Sequence, residues 1–366
     1  MTGGSSFGGI SVGSALATAT TQRRTTATMV STVSAGASLT VRAKGILTPS
    51  STANALSGGV LAGSGADATA TAGQPTGTVG VEALLGAVSV TVSGAVIVEA
   101  ITAAGASATA TGGAYGAVGV GVSLATATSD LTTDAAVAAN AGISAGSLAV
   151  TAQRVLTETR ATAVSSAGGL VGATGSDARA ISRGIVSATT GANVGLPTGA
   201  VAVSAIGATR QIADARGTSG GLIAGGASLS RAISDVDVVA TLGANPVTAV
   251  GRAGDLTVKA TGSDENVAIT VAGSGGAISG NAATATMTDD GSATATITTA
   301  GTEIRTGTLN VLARHESLYR PTVDSTNAAV VGASGAEATA NLNATAAARI
   351  AAGVVIAATG TVFVAA

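Results

Sequence analysis

Few residues in this chain have the chemistry for catalysis or ligation. The single histidine, His315, stands in Ala313-Arg-His-Glu-Ser-Leu-Tyr-Arg-Pro321. A catalytic reading would pair it with Ser317 or Glu316 as nucleophile and base. No oxyanion-stabilising group can be named, and adjacent residues of a strand point to opposite faces. His315 therefore reads as a polar loop residue. With one histidine and no cysteine, no transition-metal site is expected.

Acidic residues offer little more. Calcium-binding solenoids repeat G-G-x-G-x-D. Here Asp177 and Asp67 take the aspartate position in their repeats, while other repeats carry Ala or Ser, so no calcium ladder is expected. Asp235 and Asp237 share one face of a strand and read as a solvated pair. Arg179, Arg183 and Arg231 come from adjacent repeats and could line up as a basic stripe for an acidic polysaccharide. Paired threonines (Thr18/Thr20, Thr69/Thr71, Thr126/Thr128, Thr284/Thr286) resemble the flat Thr-x-Thr arrays of ice-binding solenoids. Arginine and leucine interrupt that array at Ala178–Ser182 and Ser228–Ala232. Threonine also favours outward strand positions in any sheet. The expectation is no catalytic, cofactor-binding or metal residue.

The elements that carry these residues follow from a repeat. G-x-Φ-x-V-x-A, with Φ Leu or Val, occurs at Gly94, Gly146, Gly199, Gly254, Gly307 and Gly360, at intervals of 52, 53, 55, 53 and 53 residues. A looser first copy is Leu39 to Ala43. Alternation puts Leu256, Val258 and Ala260 on one face and Asp255, Thr257 and Lys259 on the other, the pattern of a strand with one dry side. The leading glycine suits a corner that needs positive φ. A second landmark, a double glycine followed by an A-x-A run, recurs from Gly8, Gly58, Gly112, Gly168, Gly220 and Gly275, at intervals of 50, 54, 56, 52 and 55 residues. A degenerate seventh copy starts at Val330.

Two landmarks marching in step mean an array of about seven imperfect repeats of about 53 residues, covering residues 1–366 as a single continuous unit. Turns are expected at Gln74, Asn245, Asp289 and Tyr319. No helix is expected; Leu342 to Ile350, although alanine-rich, reads as strand by its place in the repeat.

Composition sets the thickness. Apolar residues make up 46% of the chain but aromatics only 1%, with no tryptophan, and glycine numbers 53 of 366. A thick core recruits large side chains, so the interior must be thin. The expected fold is all-β, a right-handed parallel β-helix (β-solenoid). Each repeat would wind as two coils of about 26 residues or three of about 18, giving a rod roughly 65–100 Å long at the strand spacing.

Net charge is −2 with 10% charged residues, which excludes a basic footprint for nucleic acid. The apolar run Ile350 to Ala366 falls short of the roughly 20 residues of a membrane helix and keeps the strand register. No membrane insertion of this segment is expected. The opening MTGGSSFGG has no signal-peptide pattern. The last motif ends uncapped at Ala366, so flanking repeats of a longer parent chain are expected.

These elements, GG-Φ-Φ-x-G…A-x-A-x-A and G-x-Φ-x-V-x-A without cysteine, resemble the passenger regions of large repetitive bacterial surface exoproteins. Those are the filamentous-haemagglutinin-like adhesins and autotransporter passenger β-helices. The resemblance implies secretion, an extracellular or outer-membrane-associated location, and a non-enzymatic structural or adhesive role in attachment or biofilm. Its partner would be a host or cell-surface receptor or a polysaccharide, and no cofactor is implied. The rival readings are a glycan-binding or glycan-cleaving β-helix and the ice-binding solenoid.

Overall fold

The computed structural model describes residues 1–366 apart from 196, 198, 244–253 and 299–302. The turn expected at Asn245 lies outside the described residues. The elements described are all strands, and 18 of them join one parallel sheet. Leu342 to Ile350 is strand from Thr345 onward, and the run after Ile350 forms the short strands Val355–Ala358 and Val362–Ala365.

The pairing register shows how the chain winds. Thr2 pairs with Ala53 and Ser50 with Ser107, and Leu256 pairs with Leu309. Each strand therefore lies beside the strand one repeat later, and one repeat is one coil. This corrects the expectation of two or three coils per repeat. Seven layers at the ordinary strand spacing stack to only about 30 Å, so the array is broad and short rather than a slender rod.

Stacking places like on like. The Φ position forms the column Leu39, Val96, Leu148, Val201, Leu256, Leu309 and Val362. Val41, Val98, Val150, Val203, Val258, Val311 and Val364 form the next column, and the motif alanines the third. The valine and leucine columns pack against an opposing wall that includes Val81, Leu85, Val137, Val238, Leu242 and Ile297. Each buried Val or Leu is worth roughly 1.5–3 kcal/mol, and stacked neighbours secure that burial for one another.

The motif glycine does not meet its expected reason. None of Gly94, Gly146, Gly307 or Gly360 has positive φ. Instead the corner backbones touch: Gly146 N–H donates to Gly94 O at 2.7 Å and Gly360 N–H to Gly307 O at 2.7 Å. A Cβ on Gly199 would overlap the Gly146 carbonyl oxygen.

A second core cluster is narrower still. Apart from Leu47, Leu131 and Met287, its buried residues are all alanine. At the double glycine the chain folds back on itself, so that two walls of the same coil meet side chain to side chain. Thr270 Oγ1 donates to Thr284 O, 14 residues on, and Asn281 Nδ2 to Ala272 O, 9 residues back. Facing alanines let the two walls approach closely, which is why aromatics are missing. In the third repeat Tyr115-Gly116 occupies the tip, not Gly112-Gly113, since Tyr115 pairs with Gly58.

Candidate functional site

Between the alanine lobe and the valine-leucine lobe runs a seam of buried polar side chains. It includes Thr102, Ser129, Thr133, Thr159, Ser182, Gln211, Ser234 and Asn266. Most members bond across the seam: Thr133 Oγ1 to Thr102 Oγ1 at 2.6 Å, and Asn266 Nδ2 to Ser234 Oγ at 2.9 Å. Four members are ionisable: Arg154, Asp264, Asp289 and His315.

Strand parity brings them inward. Leu256, Val258 and Ala260 face the core, and continuing by twos reaches Gly262 and Asp264. The same count along Leu309, Val311 and Ala313 reaches His315 and Ser317. On the returning wall, Ala283, Ala285 and Met287 lead to Asp289. Asp264 and Asp289 thus sit on opposite walls of one coil, and His315 on the next coil reaches both.

His315 Nε2 is 3.1 Å from Asp289 Oδ2 and 3.3 Å from Asp264 Oδ2. The three side chains are 3%, 0% and 3% exposed in the order His315, Asp289, Asp264. Both carboxylates are held from behind. Thr209 Oγ1 donates to Asp264 Oδ1, and Gln211 Nε2 donates to Thr209 Oγ1 at 2.6 Å. Ser317 Oγ donates to Asp289 Oδ2, and the Gly291 N–H donates to Asp289 Oδ1 at 3.0 Å.

The electrostatics follow from this geometry. The bonds to Asp264 and Asp289 push the His315 imidazole up to about 9, against the effect of burial. Burial alone would raise Asp289, but its bonds from His315, Ser317 and Gly291 hold it below the usual carboxylate range. Arg154 is 1% exposed, and burial pushes it down to about 10, with Asp264 as its principal counter-charge. Its guanidinium donates to Arg183 O at 2.7 Å and Ser129 Oγ at 2.8 Å. With an imidazolium, the four charges sum to zero, as burial demands.

This corrects the sequence reading of His315 as a loop residue. It lies within the strand Leu309–Leu342, and the Tyr319 segment expected to turn is strand as well. Ser317 shares its inward face and meets it at Asp289, whereas Glu316 faces outward and pairs with Arg314. The expected turns at Gln74 and Asp289 are found where strands end.

The other candidates do not assemble. Arg179 and Arg231 stack on adjacent coils, but Asp177 lies 2.9 Å from Arg179 and 4.0 Å from Arg231. Arg183 faces Asp235 at 3.9 Å, and Asp237 accepts from Ser292 at 2.6 Å. The basic stripe is thereby neutralised by its own coil neighbours. Asp67 and Asp177 share a column with Leu124 between them. Thr18, Thr69 and Thr126 do stack, but Arg179 and Arg231 continue their column before Thr286 resumes it.

No family model matches the chain, and neither a curated protein nor a solved structure matches it.

Proposed function

We propose that this chain is a structural, adhesive repeat region of a secreted or surface-attached bacterial protein, without enzymatic activity of its own. The observation that carries the reading is the pairing of successive repeats in register from Thr2 to Ala365. Such an array grows by whole layers with an unchanged cross-section, and its outward strand residues present a repeating surface. Outward charges also bond from coil to coil. Arg210 lies 4.0 Å from Glu158 and 3.3 Å from Glu265, and Arg320 lies 3.4 Å from Glu265. A network of that kind shields exposed strands better than isolated pairs do.

The mechanism is mechanical. Stacked coils resist peeling because each buries its neighbour, and contacts to a receptor or polysaccharide come from the outer faces. The test is attachment under flow. Microspheres coated with the full chain are passed over polysaccharide-coated and epithelial-cell surfaces beside albumin-coated spheres. Several-fold greater retention is expected on at least one surface; retention equal to albumin on all of them overturns the reading.

A further inference from the structure

The fold does not require charge at the Asp264, Asp289 and His315 positions. Asp289 continues a column of Ser129, Ser182 and Ser234. Asp264 stands between Thr209 and Ser317, and His315 follows Gly207 and Gly262. Small neutral residues fill these places on the immediately preceding coils, with Leu342 after Asp289 and Arg154 ahead of Gly207, so the three ionisable groups converge in this layer for a local reason. Room is made for them. A Cβ on Gly262 would overlap His315 Nδ1, and one on Gly291 would come within 2.9 Å of its Cε1.

Two carboxylate oxygens and one imidazole nitrogen gather within 4.8 Å of one another. The N···O separations of 3.1 and 3.3 Å match neighbouring ligands around an ion with bonds of about 2.0–2.2 Å. Nitrogen with carboxylate oxygen is a donor set for zinc-like divalent ions, whereas calcium takes six to eight oxygens. The hydroxyls of Thr209 and Ser317 and the Gly291 N–H orient the carboxylates as outer partners of metal ligands do. His315 Nδ1 is buried without a hydrogen-bond partner among the described residues. The two carboxylates hold a proton on Nε2, and it is this proton that a bound cation would displace.

One of the three, Asp264, also borders the surface. A surface cavity lined by Leu156, Thr209, Ser263, Asp264, Glu316 and Ser317 opens beside it. We propose that Asp264, Asp289 and His315 form a binding site for one divalent transition metal ion of the zinc class, with a further coordination position facing this cavity. The ion takes the place of the shared proton and ties two walls of one coil to the next coil. Arg154 then leaves one positive charge in excess, which favours an anionic ligand, hydroxide or carboxylate, at the open position.

The test uses the full chain, stripped with a chelator and dialysed. Zinc(II) is titrated by calorimetry and by thermal melting, cobalt(II) by visible absorption, and calcium serves as control. One zinc per chain, a raised Tm and a cobalt d–d band are expected, with no response to calcium. Asp289→Asn and His315→Gln are expected to lose the response, while Asp67→Asn, four coils from the centre, retains it. Thr209→Ala keeps all three ligands and tests the site should those variants fail to fold; a 10–100-fold weaker affinity is expected. Absence of any zinc response in the unaltered chain overturns the proposal, leaving a proton-bridged clamp. So does a response that persists unchanged in Asp289→Asn, His315→Gln and Thr209→Ala.

Discussion

His315 Nε2 and Asp289 Oδ2 are 3.1 Å apart although 26 residues separate them, and they belong to successive coils. Removing one partner leaves an uncompensated buried charge, which costs about 3–5 kcal/mol. In chelator-treated protein, His315→Gln and Asp289→Asn are each expected to destabilise by that order. The double variant should fall short of their sum by about 0.5–3 kcal/mol, as residues in one network do. Urea melts of the four proteins check this, and strict additivity would show the pair to be uncoupled.

The alanine lobe predicts intolerance of size. Ala127 and Ala180 are fully buried where two walls meet. Ala127→Leu should destabilise by about 1–3 kcal/mol or more through overpacking. In the other lobe the sign of the size change reverses: Leu256→Ala, at 0% exposure, should cost about 2–5 kcal/mol. Chemical denaturation of both variants gives the comparison, and a stabilised Ala127→Leu would mean that the walls are not in contact.

Glycine at the fold-back tip predicts a sharp contrast between two conservative changes. Gly169 has φ +155° and its Cβ would overlap the Gly116 carbonyl oxygen, whereas a Cβ on Gly65 meets nothing within 4 Å. Gly169→Ala is expected to cost more than about 1 kcal/mol. Gly65→Ala should be neutral or stabilising by up to about 1 kcal/mol, because it restricts the unfolded chain without strain. Equal effects of the two in thermal melts would contradict the stacking of the tip glycines.

Asp134 supplies a pH signature. It pairs in register with Glu82. Burial first, then the like charge of Glu82, raise its pKa, against a hydrogen bond from Ser187. A carboxyl whose folded pKa exceeds its unfolded one disfavours its own ionisation in the fold. Its contribution to stability therefore falls as pH rises from the ordinary carboxylate value through the raised one. Asp134→Asn should raise Tm at pH 7, and the gain should vanish near pH 3. A gain that persists unchanged at pH 3 would assign it to something other than charge.

Much of this was written in the repeat. The Φ, Val and Ala columns follow from counting, because motif copies 52 to 55 residues apart must stack if the chain coils. The number of coils per repeat was hidden, since strand patterning specifies which residues face inward but not how far the chain travels before it meets itself. The buried triad was half legible. Counting by twos from Leu309 turns His315 and Ser317 inward, and the same count from Leu256 turns Asp264 inward. Their convergence with Asp289 needed the fold-back at Gly275-Gly276, which sets opposing walls face to face. No spacing in the sequence reports that depth.

Because a repeat closes one full circuit, excising the 51 to 57 residues from any point to its equivalent in the next repeat removes a single storey. The chain rejoins with its facing walls, glycine corners and outer charges still aligned. Height can thus be edited in steps of about 4.8 Å by unequal exchange between similar gene segments, with no new junction to be accommodated. The storey holding Asp264 and Asp289 is the exception, since its loss would strip His315 of both its acidic neighbours.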